Sequence, residues 1–373
     1  MRPARTGAAS PLHVPLSAQP QLHPFEKSAM TSMENSTTAS AATHLKKRST
    51  RVAVIAAAAV LASAPYASAA TQQASSKPVV TDVRTLAALD FTAGESPENI
   101  TVGPDNSLTV STLGGHTAAG ERPALLRIDP SGHSTVLVAG QPGDAFSGIT
   151  RGRDGTTYYN VASDDDSRAG VWKLPPGGTP RRIAALPTDG LANGLALDPA
   201  GRTLYVADSS KGTVWAVPAS GGKATAWLTD PALAPDPSVP FGANGLRFHR
   251  GAVWVSNSAH GTLLRIPVTA AGAPGRIHTV TSGLTSVDDF TFLNDRSDVV
   301  FAAQNGLNQV AVVHPDGTKE TVLTASDGLA SPTSIALRGD RIYITDAGFA
   351  EPHDAKVQRG TINPAALNCG PAA

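Results

Sequence analysis

A single cysteine, Cys369, in 373 residues rules out an intrachain disulfide framework and any cysteine-rich zinc or iron–sulfur site. Aromatic residues supply only 5% of the chain and charged residues only 16%, which disfavours a coiled coil or a salt-laced helical bundle. Neither sign of charge is in excess. Thirty Lys and Arg meet thirty Asp and Glu, so no basic field exists to hold a nucleic-acid backbone, and no nucleic-acid partner is expected. What is abundant is punctuation: 35 Gly and 29 Pro, about one residue in six, break up any long helix. At this length the chain can hold two average domains or one large repetitive one.

Long apolar runs are absent except near the start. Lys46-Lys47-Arg48 and Arg51 precede an apolar run from Val52 to Ala64, followed by Pro65 and the small residues Ala67-Ser68-Ala69. That order is the one found in secretory signals, with cleavage expected after Ala69. The competing reading is a membrane anchor, but Pro65, Tyr66 and the serines cut the fully apolar part to about 13 residues, short of the ~20 that span a bilayer. Residues 1–69 are therefore set aside as an extension plus signal peptide, with Met30 or Met33 as alternative starts. Residues 70–373 are expected as one domain, secreted, without stable membrane insertion and monomeric. It carries 23 basic and 28 acidic residues, net −5.

That remainder repeats itself. A small or polar residue followed by alternating apolar positions recurs at Pro97-Glu98-Asn99-Ile100, Phe146-Ser147-Gly148-Ile149, Ala192-Asn193-Gly194-Leu195, Ala243-Asn244-Gly245-Leu246, Val287-Asp288-Asp289-Phe290 and Pro332-Thr333-Ser334-Ile335. The anchors at 98, 147, 193, 244, 288 and 333 are spaced by 44 to 51 residues, the size of a four-stranded propeller blade. Each repeat continues through a turn such as Asp198-Pro-Ala-Gly201, an alternating second strand such as Leu204–Asp208, a polar loop, a third strand such as Thr213–Val217, and an outer strand such as Ala224–Leu228. The sixth repeat runs out of chain before its outer strand, and Val79–Leu89, ahead of the first repeat, has the alternation to replace it. The prediction is an all-β, six-bladed β-propeller with four antiparallel strands per blade, closed by an N-terminal strand so that no edge is left open. A β-helix or a pair of sandwiches would not demand six evenly spaced anchors.

In such a ring the first residues of the innermost strands converge on one mouth of the central channel. The six anchors Glu98, Ser147, Asn193, Asn244, Asp288 and Thr333 all carry oxygen. Among them Glu98, Asn193, Asn244 and Asp288 suit one hard axial cation: two carboxylates balance a divalent charge, and two amide oxygens extend the shell. Calcium fits a wide cage drawn from four blades, with other divalent metals as the open alternative; zinc is disfavoured, since no anchor is His or Cys. The bland alternative is that Asn-Gly and Asp-Asp pairs simply start strands with turn chemistry.

The run Ala192-Asn193-Gly-Leu-Ala-Leu-Asp-Pro-Ala-Gly-Arg-Thr-Leu-Tyr-Val-Ala-Asp208, echoed at Asn244 and at Asp288-Asp289, resembles the gluconolactonase and senescence-marker-protein (regucalcin) group of calcium-dependent six-bladed propellers. Paraoxonases, diisopropylfluorophosphatase and strictosidine synthase are more distant members of that superfamily. The resemblance spans essentially the whole of 70–373. It implies a calcium held by a first-blade Glu, third- and fourth-blade Asn and a fifth-blade Asp, which Glu98, Asn193, Asn244 and Asp288 match by type and blade. Two departures stand out: the first-blade Glu is followed by Asn99 where gluconolactonases usually have Gly, and the paraoxonase histidine pair has no counterpart.

The activity so implied is hydrolysis of a lactone or small ester, the cation polarising the carbonyl for attack by water. Asp288 and Asp289 are the candidate bases. The substrate rim is expected on the loops between second and third strands, at His116, Ser209, His260 and Asn305, with the Asp164–Asp166 run as a further candidate for a peripheral cation. No Gly-x-Ser-x-Gly elbow precedes a helix, so serine catalysis is not expected. The alternative to an enzyme is a non-catalytic propeller that binds a small ligand or a protein, its calcium structural.

Overall fold

The computed structural model describes residues 77–367; the signal peptide and extension, the cleavage point and Cys369 lie outside the described residues. Six four-stranded antiparallel sheets make a six-bladed β-propeller. In chain order the innermost strands are Pro97–Val102, Ala145–Arg151, Ala192–Leu197, Ala243–His249, Val287–Phe292 and Pro332–Arg338. Blades 1 to 5 use consecutive strands. Blade 6 takes its outer strand from Val80–Ala88, which pairs antiparallel with Lys356–Ile362 from Val80 opposite Ile362 to Ala88 opposite Lys356. The ring is thus closed by the strand Val80–Ala88, and among the described residues helical structure is limited to 3-10 turns of three residues.

The burial pattern follows from packing blade on blade. Second strands such as Leu108–Thr112 and Thr157–Ala162 are buried at every position, because both faces meet a neighbouring sheet. Outer strands such as Ser134–Ala139 are largely exposed. The apolar core is divided among the blade interfaces: Leu125 and Val138 meet Phe146 and Tyr159 between blades 1 and 2, and Val171 and Ile183 meet Leu204 and Val217 between blades 2 and 3. Ile342, Ile344 and Val80 meet Phe301 and Val312 between blades 5 and 6. The closing interface carries Tyr343 and Val357 against Leu108 and Leu126.

One irregularity recurs in all six blades. The ladder between the innermost and second strands slips by one residue at the anchor: Val287 faces Gln304 and Phe290 faces Ala302, so Asp288 and Asp289 share a single opposing residue. The same slip falls between Ala192 and Leu195, Ala243 and Leu246, Phe146 and Ile149, Pro97 and Asn99, and Pro332 and Ser334. A bulge inserts an extra residue and re-aims its side chain, which turns each anchor toward the axis. Behind the anchors of blades 2, 3 and 4 lie Gly148, Gly194 and Gly245. A Cβ on Gly148 would sit 2.2 Å from the Asn193 carbonyl oxygen, and one on Gly194 would sit 2.4 Å from that of Asn244, so these blades touch backbone to backbone.

Gly194→Ala must push two blades apart and is expected to cost about 1–3 kcal/mol or more, measured by denaturant unfolding, because the obstacle is backbone; a change within a few tenths would show that the blades do not meet there.

Candidate functional site

The bulges place two layers of side chains across the channel. The outer layer is the anchors. Ser147 donates its hydroxyl to the Ala192 carbonyl at 2.7 Å, and Thr333 donates to the Pro97 carbonyl at 3.0 Å, so these two tie neighbouring blades together. Glu98, Asn193, Asn244 and Asp288 are buried. Among the described residues no Lys, Arg or His pairs with Glu98 or Asp288. Burial, then the charge of Asp289, pushes the Glu98 carboxyl up to about 8. Burial, then Glu98 and Asp289, likewise raises Asp288 above the usual carboxylate range, while Asn305 and Asn244 pull the other way by hydrogen bonding.

The amide at Asn244 is oriented by its neighbours. Ser258 donates its proton to the Val287 carbonyl at 2.6 Å and so accepts from Asn244 Nδ2 at 2.9 Å. That leaves Asn244 Oδ1 buried without a partner. Asn305 Nδ2 donates to Asp288 Oδ2 at 2.8 Å, fixing the carboxylate from blade 5 itself. Two uncompensated carboxylates beside a buried, unsatisfied amide oxygen are a donor set for a hard cation. The residues present therefore fit a hard divalent cation such as calcium, which Glu98, Asp288, Asn244 and Asn193 would hold.

Asp289 does not share this mouth. It lies in the second layer, where its Oδ2 accepts from Asn99 Nδ2 and Ser334 Oγ, both at 2.8 Å, and from Arg247 at 2.5 Å. Its other oxygen is enclosed against Gly245, where a Cβ would come within 2.4 Å of it. The structure thus places Asp289 among cross-blade donors that all meet Oδ2, while its Oδ1 is buried without a hydrogen-bond partner. Asn99 explains the departure at the first blade: the side chain that replaces Gly is the one that reaches Asp289.

The rim residues divide. Asn305 reaches the axial site directly. Ser209 is fully buried and donates to the Ala243 carbonyl at 2.7 Å, so it braces blade 4 and does not line the rim. His116 closes the short turn Gly114–His116 and is half-buried, and His260 is exposed with its backbone N–H held by Asn257 at 2.9 Å. Asp165 binds Ser167 and Arg168 within its own turn. No cluster of three or more His, Cys, Asp or Glu suited to a metal occurs among the described residues, so the axial set depends on its amides and its two carboxylates. Sequence reading noted Asn99 only as a departure and did not single out Arg247 or Ser334; comparing the repeats position by position beyond the anchors would have shown Arg247 as the one long, charged side chain among small ones.

The comparisons with known proteins give the fold. No family model matches the chain, and no curated protein matches it. Among solved structures it is similar to a calcium-binding regucalcin from Agrobacterium tumefaciens, 19% identical over 74% of this chain and 92% of the other, with a TM-score of 0.54. An auxiliary nutrient binding protein from Bacteroides ovatus is 12% identical over 77% of this chain and 78% of its own, with a TM-score of 0.59. A PQQ-bound aldose sugar dehydrogenase from Streptomyces coelicolor is 16% identical over 77% and 99%, with a TM-score of 0.52. At these identities the likeness is one of architecture.

Two predictions follow from the buried charges. Arg247→Met leaves the Asp289 carboxyl buried without its cationic partner and is expected to lower unfolding free energy by about 3–5 kcal/mol in denaturant unfolding; a loss under about 1 kcal/mol would show that the ion pair carries little. Asp346 is fully buried at the end of its strand, one oxygen accepting from the Ala330 N–H at 2.8 Å and the other unpaired, and burial pushes its carboxyl up to about 7. Its folded pKa lies above its unfolded one, so its contribution is present below about pH 4 and is lost as pH rises through 7. Asp346→Asn should therefore melt higher than the wild type at pH 8, with the difference closing near pH 4; parallel melting curves across that window would show an Asp346 that titrates normally.

Proposed function

We propose that this chain is a secreted, calcium-dependent hydrolase of a lactone or small ester, of the gluconolactonase-like kind. The observation that supports it most directly is the buried Asn244 Oδ1, left without a partner beside the unpaired carboxylates of Glu98 and Asp288. When bound, the cation supplies polarisation of the substrate carbonyl and stabilisation of its developing negative charge.

The chain's own residues do the rest. Asn305 holds Asp288 by one oxygen, so the other is the atom to accept a proton from the attacking water. Ser258 keeps the Asn244 carbonyl turned to the axis. Ser147 and Thr333, spent on blade-to-blade bonds, leave the mouth free of a competing nucleophile. Export rests on the order of basic, apolar and small residues over 46–69; no helix among the described residues is long and apolar enough to cross a membrane.

A second reading, a propeller that binds a ligand or protein and uses calcium only for structure, is favoured by one observation: no histidine stands among the anchors, so proton transfer falls to a single carboxylate. Titrating calcium into the chelator-treated chain while following lactone and aryl-ester hydrolysis beside melting temperature separates the two. Hydrolysis should vanish with chelator, return with calcium, and fall on the order of tenfold or more in Asn193→Ala. Stabilisation by calcium without turnover would favour the binding reading, and no response to calcium would overturn the axial site.

A further inference from the structure

Three residues beyond each anchor, the innermost strands present a third ring at the other end of the channel: Thr101, Thr150, Ala196, Arg247, Thr291 and Ala336. All six line one cavity of about 290 Å³, at the small end of the range that holds small-molecule ligands. Val102, Leu197 and Phe248 stand in its outer wall, most of the surface it exposes is polar, and no Asp or Glu lines it. The Asp289 layer separates it from the mouth that carries the anchors.

The ring is unusual in what it leaves unused. Five of its members are small, so nothing fills the centre. The three threonines are half-buried and their hydroxyls make no hydrogen bond among the described residues, although a β-strand threonine facing only packing would be better served by valine. Arg247 has five N–H donors; it spends one on Asp289 and one on the Leu246 carbonyl at 2.9 Å, and its side chain keeps 19% exposure. The guanidinium and three threonines thus line one cup.

We propose that this cup is a second ligand site, distinct from the axial cation site, and that it takes a small organic carboxylate. The donors and the largely polar lining match an oxyanion, and the side chains of Val102, Leu197 and Phe248 leave one edge for a short aliphatic or aromatic body. Asp289 already balances the charge of Arg247, which suits a singly charged carboxylate better than a doubly charged phosphate.

The test is ligand-observed NMR and calorimetry on the full chain with isobutyrate and benzoate, beside the neutral isobutyramide and inorganic phosphate, all with chelator present so that the axial mouth plays no part. Saturable binding of the carboxylates, with the amide bound on the order of tenfold or more weaker, is the expected result. The isosteric double variant Thr101→Val/Thr291→Val should weaken carboxylate binding by about tenfold at an unchanged melting temperature, and Thr150→Val gives the same readout should the double variant fold poorly. Equal binding of amide and carboxylate, tighter binding of phosphate, affinity indifferent to the threonines, or no saturable binding at all would each overturn the proposal.

Discussion

The Asp289 carboxylate is the constraint around which the channel is built. It stands on blade 5 and receives hydrogen bonds from Asn99 on blade 1, Arg247 on blade 4 and Ser334 on blade 6, so one side chain ties four of the six blades across the axis. A propeller's blades are held apart in sequence and meet only by their faces; a central bond fixes their relative tilt as face packing alone does not. Burying that carboxylate is costly, and only the Arg247 partner together with two neutral donors compensates it. On the other half of the ring Gly148, Gly194 and Gly245 let the backbones close directly. The layer is polar and bonded on one side, bare backbone on the other.

The arrangement divides the channel into two chambers of opposite character. Above the layer sit Glu98 and Asp288, acidic and without a cationic partner; below it sit Arg247 and three threonines, with no acid on the lining. The Asp289 charge acts on both. It raises the carboxyls above it and neutralises the guanidinium below it, so its ion pair sets how strongly each chamber attracts charge.

Much of this was legible in the sequence because it is periodic. Six anchors at near-equal spacing required six blades, and the missing outer strand after Ile362 required Val80–Ala88 to close the ring. The metal-type residues could be picked out because they fall at one register in each repeat. The direction of Asp289 could not, since simple alternation puts adjacent strand residues on opposite faces, whereas the bulge lets Asp288 and Asp289 both enter the channel at different depths. Ser209 failed for a related reason: a hydroxyl just past a strand end reads as rim, but its bond to the Ala243 carbonyl draws it under the next blade. Loop histidines such as His116 and His260 carry no positional signal, because loop lengths vary from blade to blade.

Charge balance is the remaining step. A channel that buries three carboxylates near one another and supplies one arginine is two charges short, and the shortfall sits wholly at the anchor mouth. Without compensation the carboxyls must hold protons, which is what their raised pKa values express. A divalent cation would supply the missing two charges and satisfy the Asn244 oxygen in the same act. With its own charge already met by Arg247, Asp289 leaves the anchor mouth with two carboxylates, the number that a divalent ion would neutralise. The blade-spanning bond that holds the fold together thereby also determines the charge of the site it supports.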